Sequence, residues 1–299
     1  MVTRAAYPEP ASSTRYDGVI DAPRTPEFPT PPEPGGRPNA ARALLIGVGI
    51  VLAFVAAQVF ASIVAAQFGL RVDLKSIDLR SAVALCVTEL LTLVVAVSLV
   101  PWVGGAVRVA WRDRRARAGA GALALLPVGI VVVGFSLAAS IGHDPLVAPR
   151  LDLPTGAALV IAAVLIAVTE ELWFRGLLIA GLGGARRPWL SVCGSALLFG
   201  LPHLDGSRAS VLNAGGVVLA VGIPFAVVRL RMYALLPLIL WHAIIDSWAF
   251  LHTADVQATG TPSNAEIIGG LVLPALLAAG YLTWFTRSGS RRASPAAGR

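Results

Sequence analysis

The feature that most constrains this chain is a succession of apolar runs. Eight of them lie at about 43–68, 81–103, 120–141, 155–180, 189–204, 212–228, 235–250 and 267–285. Most approach the roughly 20 residues that cross a bilayer as a helix; the fifth to seventh are the shortest. Backbone inside a membrane must satisfy its own hydrogen bonds, and no alternating β-barrel pattern is present, so helix is the expected state of every run. The composition agrees. The chain is 56% hydrophobic and 14% charged, against about 25% charged residues in soluble domains. The expected class is therefore an all-α polytopic membrane protein of about eight transmembrane helices.

The ends differ from the middle. Residues 1–40 are Pro-rich and mixed in charge, ending Pro31-Pro32-Glu33-Pro34-Gly35-Gly36-Arg37-Pro38. Such a segment lacks the apolar periodicity to bury a core and reads as a disordered cytoplasmic tail. It is not apolar, so the first run reads as a true span and not as a cleaved leader. Residues 41–286 form the expected membrane domain, and 287–299 a basic tail. With the N-terminus inside, the inner segments carry eighteen basic residues and the outer loops five. That asymmetry predicts a cell-membrane protein with both termini cytoplasmic. It also accounts for the net charge of +7 without nucleic acid, because the basic residues sit in short loops between apolar runs. Cys86 and Cys193 fall inside apolar runs, where buried small-hydrophobe roles are expected and a disulfide framework is not. No internal repeat or glycine-rich phosphate loop is visible, and Gly183-Gly184 reads as a turn.

Against this apolar background a few polar groups stand out. The uncharged run Ala157–Val168 ends in Thr169-Glu170-Glu171-Leu172-Trp173-Phe174-Arg175-Gly176. A charge at mid-bilayer costs roughly 2.5–3.5 kcal/mol on insertion scales, so such groups persist when neutralised, facing a wet cavity or performing chemistry. Residues four apart share a helix face. Glu171 and Arg175 therefore read as an internally neutralised strut, which leaves Glu170 as a free carboxylate suited to a general base. The alternative is that both glutamates are structural. The next run ends Phe199-Gly200-Leu201-Pro202-His203. His203 there is either a satisfied polar residue or a ligand, and Pro202 kinks the helix. The seventh run carries His242 and Asp246, again four apart. The carboxylate can orient the imidazole, both can ligate one metal, or the pair can merely neutralise itself. A polar cavity in the cytoplasmic half of the membrane is the expected meeting place, provided helices tilt or break. Glu89 sits mid-way in the second run and belongs to no motif, while His143 and His252 fall near the outer surface.

Glu-Glu-x-x-x-Arg, then Phe-x-x-x-His, then His-x-x-x-Asn/Asp, on successive helices, resembles the CPBP intramembrane proteases, also called the CAAX prenyl protease and bacteriocin-processing, or Abi, family. The matching residues are Glu170, Glu171 and Arg175, Phe199 and His203, and His242 and Asp246, within about 155–250. Asp246 stands where the CAAX proteases have Asn. The resemblance implies an intramembrane endopeptidase acting on a membrane-associated peptide or protein. Glu170 would activate a water. His203 and His242 would position that water, stabilise the oxyanion or bind a divalent metal such as zinc. Asp246 would orient His242, and Glu171–Arg175 would organise the site. Two other classes compete. A proton-coupled transporter would show two repeats and a polar through-path, where this chain has one cluster. A non-enzymatic scaffold has no need to retain so many costly charges.

Overall fold

The computed structural model describes residues 39–71, 78–103, 115–132, 151–204, 208–253 and 271–290. The tail 1–38, the basic C-terminus beyond 290, His143 and the outer half of the third run lie outside the described residues. Among the described residues there is no strand. The helices are α1 (Ala40–Gln67), α2 (Leu79–Val103), α3 (Gly119–Val132), α4 (Leu153–Gly181), α5 (Pro188–Gly200), α6 (Val211–Met232), α7 (Leu236–Thr253) and α8 (Leu273–Ser290).

Each helix begins and ends where local chemistry dictates. Asn39 caps α1 through its side-chain oxygen, which accepts from Ala41 N at 3.1 Å. Asp152 caps α4 by accepting from Thr155 N, with Pro154 in the first turn, where its missing N–H leaves no bond unmade. Tyr233, at φ 54°, closes α6 in the left-handed region, and its N–H reaches Arg229 O at 2.9 Å.

Four helices, α1, Leu79–Trp102 of α2, α4 and α6, are long and apolar enough to cross a membrane. Gly119–Val132 and Leu236–Leu251 are shorter apolar helices. With these helices the chain is a multi-pass membrane protein, but the expected count of eight spans is not reached among the described residues. α5 is the shortest helix among the described residues; it ends at Gly200, where a 3-10 turn over Leu201–His203 that contains Pro202 takes over. Apolar side chains on the outer faces of α1 to α3, among them Leu45, Leu52, Phe60, Leu90, Val94 and Leu123, are exposed. They form the apolar exterior that lipid would cover.

α4 is the hub. It packs on α2 and α7 along its length, and its C-terminal part also meets α1, α5 and α6. At Glu171 the helix widens into a π-helix that runs to Leu178, and all eight of its residues are buried. A second π segment, Val218–Gly222, interrupts α6. Single-turn widenings of this kind are uncommon and gather at functional sites. Around the first of them lies the aromatic core. Phe54 meets Trp173 and Phe174 edge-on, with ring centroids 5.6 and 5.2 Å apart, and Phe174 meets Phe199 at 5.1 Å.

Close helix contacts use small residues, as is usual in membranes. A Cβ at Gly222 would lie 3.1 Å from Ala196 Cα and 3.3 Å from its carbonyl oxygen, so the π segment of α6 rests directly on α5. Trp241 of α7 lies on α3 in the space a Cβ at Gly129 would fill, and its Nε1 donates to Ala122 O at 2.8 Å. The cysteines divide. Cys86 is half-buried and its thiol approaches Ala158 O at 3.4 Å, whereas Cys193 is exposed. The buried role expected for Cys193 is thus corrected, because its position on α5 points away from the helices that cover Ser191, Val192 and Ser195.

Overpacking a tight contact costs about 1–3 kcal/mol. Gly222→Leu is therefore expected to lower the thermal unfolding midpoint of the protein in detergent by several degrees. Gly280→Leu on α8, where an added Cβ meets nothing within 4 Å, is expected to leave it unchanged.

Candidate active site

The site is built where α4 changes from α to π geometry. Glu171 is the first residue of the wide turn and its side chain is completely buried. Its Oε1 accepts from Arg175 Nη1 at 3.0 Å and lies 2.9 Å from Nδ1 of His242 on α7. An ionised carboxylate can only accept, so the imidazole donates through Nδ1. One oxygen thus ties α4 to α7, while Glu171 Oε2 has no hydrogen-bond partner among the described residues. Arg175 is equally buried. Its guanidinium lies over the Phe199 ring at 4.0 Å and 5.4 Å from the Phe225 ring. Its backbone carbonyl accepts from Nε of the buried Arg229 at 3.1 Å.

Glu170 differs from its neighbour. It keeps 18% of its side chain exposed, against none for Glu171. Its Oε2 lies 3.6 Å from His242 Nε2, and Asp246 Oδ2 lies 3.5 Å from the same nitrogen, with 21% of its side chain exposed. Both distances exceed a hydrogen bond, so two carboxylates flank this nitrogen without closing on it. The bond that orients His242 comes from Glu171 on α4, where the sequence reading assigned that task to Asp246. The reason is tertiary. α7 packs along α4 and presents Nδ1 to the wide turn, which leaves Asp246 on the Nε2 side.

His203 is the last residue of the 3-10 turn that follows α5. Its Nδ1 lies 3.1 Å from Phe199 O, and because a carbonyl only accepts, Nδ1 donates and Nε2 is left as the acceptor of the neutral ring. The Phe199 ring packs on both histidines, with centroids 5.4 Å from His203 and 5.9 Å from His242. The structure thus brings Glu170, Glu171, Arg175, His242 and Asp246 into one ion-pair cluster. His203 shares with His242 the contact to Phe199. Among the described residues no group of three or more His, Cys, Asp or Glu side chains is disposed to hold a metal ion.

Sequence reasoning missed two supports. Arg229 reads as a loop charge by the topology rule, yet it is buried against the backbone of Arg175. Phe225 packs its ring 6.1 Å from His242, where one more Phe in an apolar run gives no signal. Glu89 was noticed but given no place. It is buried and accepts from Gln58 Nε2 at 2.9 Å.

Comparison with known proteins finds one match, over the stretch that carries the motifs. Residues 153–248 match the model of the family described as Type II CAAX prenyl endopeptidase Rce1-like, a protease family. No curated protein and no solved structure matches the chain. The matched stretch runs from the first turn of α4 to the turn after Asp246 and holds all seven residues singled out from the motifs. Over this stretch the match supports a likeness to the CPBP, or CAAX protease, family.

Proposed function

We propose that this protein is an intramembrane endopeptidase that hydrolyses a peptide bond of a membrane-associated substrate with a water activated by Glu170. The observation that carries the proposal is the unequal treatment of the two glutamates. Glu171 is bonded on one oxygen to both Arg175 and His242 and has no exposure, whereas Glu170 is partly open and bonded to neither. A locked carboxylate builds a site; an open one beside an imidazole can take a proton.

In this reading a water lies by Glu170 and attacks the peptide carbonyl carbon. Glu170 accepts the water proton as the oxygen bonds to carbon. The carbonyl electrons move onto oxygen, where a histidine N–H or a neighbouring donor stabilises the charge. When the intermediate collapses the C–N bond breaks, and Glu170 returns the proton to the departing amine. His242, fixed by Glu171, borders the water, and His203 lines the substrate side. Asp246 shares the field at His242 Nε2. No step is assigned to a metal. We further propose that the membrane domain runs over 41–286 with both termini on the cytoplasmic side, as the loop charges suggest.

Two outcomes are expected. Glu170→Gln keeps the shape of the side chain but cannot accept the proton. Reconstituted in lipid vesicles with a membrane-anchored reporter peptide, it is expected to lose about 100-fold or more of kcat, the usual range of a general base. Turnover equal to the parent's contradicts the proposal. Arg175→Met leaves the Glu171 carboxylate buried beside an uncharged neighbour. Breaking a buried pair in this way costs about 3–5 kcal/mol, while removing both partners costs much less. Thermal unfolding in detergent is expected to show a large fall for Arg175→Met and a partial recovery for the Glu171→Gln, Arg175→Met double variant.

A further inference from the structure

α2 carries a carboxylate that the reaction above does not use. Glu89 is buried midway along the helix. Its Oε1 accepts from Gln58 Nε2 of α1 at 2.9 Å, and its Oε2 has no hydrogen-bond partner among the described residues. Its backbone carbonyl accepts from Oγ1 of Thr169, the residue before Glu170, at 3.3 Å. Thr169 is fully buried, so this bond fixes α2 against the end of the α segment of α4.

Among the described residues, the charged groups that act on Glu89 belong to the site. From α4 it interacts electrostatically with Glu170, and from α7 with His242 and Asp246. α1 contributes only the neutral amide of Gln58. Holding α1 to α2 does not call for a carboxylate, because replacing both members of a buried polar pair by apolar groups of the same shape is nearly neutral. A helix in a membrane keeps an acid when the acid faces other polar groups or takes part in chemistry. We propose that Glu89 is a positioning residue of the hydrolytic site. Held by Gln58, its carboxylate acts through space on Glu170 and His242, and its main chain braces Thr169. The inference rests on the hydrolytic reading.

The test uses the full-length protein in lipid vesicles with the membrane-anchored reporter peptide. Turnover by the parent that is lost in Glu170→Gln establishes the reaction first, so the result at position 89 bears on Glu89 alone. Glu89→Gln keeps the volume and still accepts from Gln58, but carries no charge. It is expected to lower kcat roughly tenfold, or ~1.4 kcal/mol at the barrier. KM is expected to stay within about twofold, because the residue acts on the transition state and not on substrate binding. The pH profile of kcat is expected to move by about half a unit or more, as it does when a neighbouring charge is removed. Glu89→Asp, which restores the charge, is expected to recover part of kcat. Gln58→Leu, which frees the carboxylate and leaves its charge, gives a second route should Glu89→Gln melt early; it too is expected to lower kcat with KM held. Parental kcat and an unmoved profile in Glu89→Gln overturn the proposal. So does an equal loss in Glu89→Gln and Glu89→Asp, which marks a packing role, and so does parental turnover in Gln58→Leu.

Discussion

The arrangement depends on one buried oxygen. Glu171 Oε1 is shared between Arg175 Nη1 and His242 Nδ1, and that sharing joins α4 to α7. A buried ion pair is a poor source of net stability, because removing its charges from water costs several kcal/mol per ion. Its value lies in geometry. With Glu171, Arg175 and the two rings over Arg175 in place, the His242 ring has one orientation, and its free nitrogen faces Glu170 and Asp246. The Arg175 backbone is tied to Arg229 of α6, so the same anchor reaches a third helix.

The wide turn of α4 explains how adjacent glutamates come to have different fates. Glu170 ends the α segment and Glu171 opens the π segment. Neighbouring side chains already diverge by about 100° on a helix. Here the divergence sends one carboxylate into the protein and the other towards the gap beside His242. The 3-10 turn at Leu201–His203 does comparable work on α5, where it stops the helix and returns the imidazole of His203 to the carbonyl of Phe199. Irregular backbone at membrane depth is tolerated when protein covers it or when it lines a cavity, and both breaks lie against the same group of polar side chains.

Much of this was legible in the chain. The apolar runs announced the helices, and the four-residue spacing of Glu171 and Arg175 announced their pair, because both signals are local. The bond between Glu171 and His242 was not legible, since it spans 71 residues and depends on how α7 lies along α4. For the same reason the spacing of Asp246 and His242 announced their proximity, 3.5 Å at Nε2, but not the shorter bond from another helix at Nδ1. The π turn has no composition of its own. Trp173 and Phe174 within it are ordinary membrane residues that pack on Phe54. Among the described residues four helices are long and apolar enough to cross a membrane, and α5, which carries the approach to His203, is shortened by the 3-10 turn at its end.

The central claim is a division of labour between Glu170 and Glu171, and one paired measurement tests it most directly. Glu170→Gln and Glu171→Gln, purified side by side, are assayed for thermal unfolding and for cleavage of the membrane-anchored peptide. The account predicts that Glu170→Gln melts with the parent and does not cleave, while Glu171→Gln melts markedly earlier because Arg175 and His242 lose their shared acceptor. A Glu170→Gln protein that cleaves normally, or a Glu171→Gln protein as stable as its parent, contradicts it.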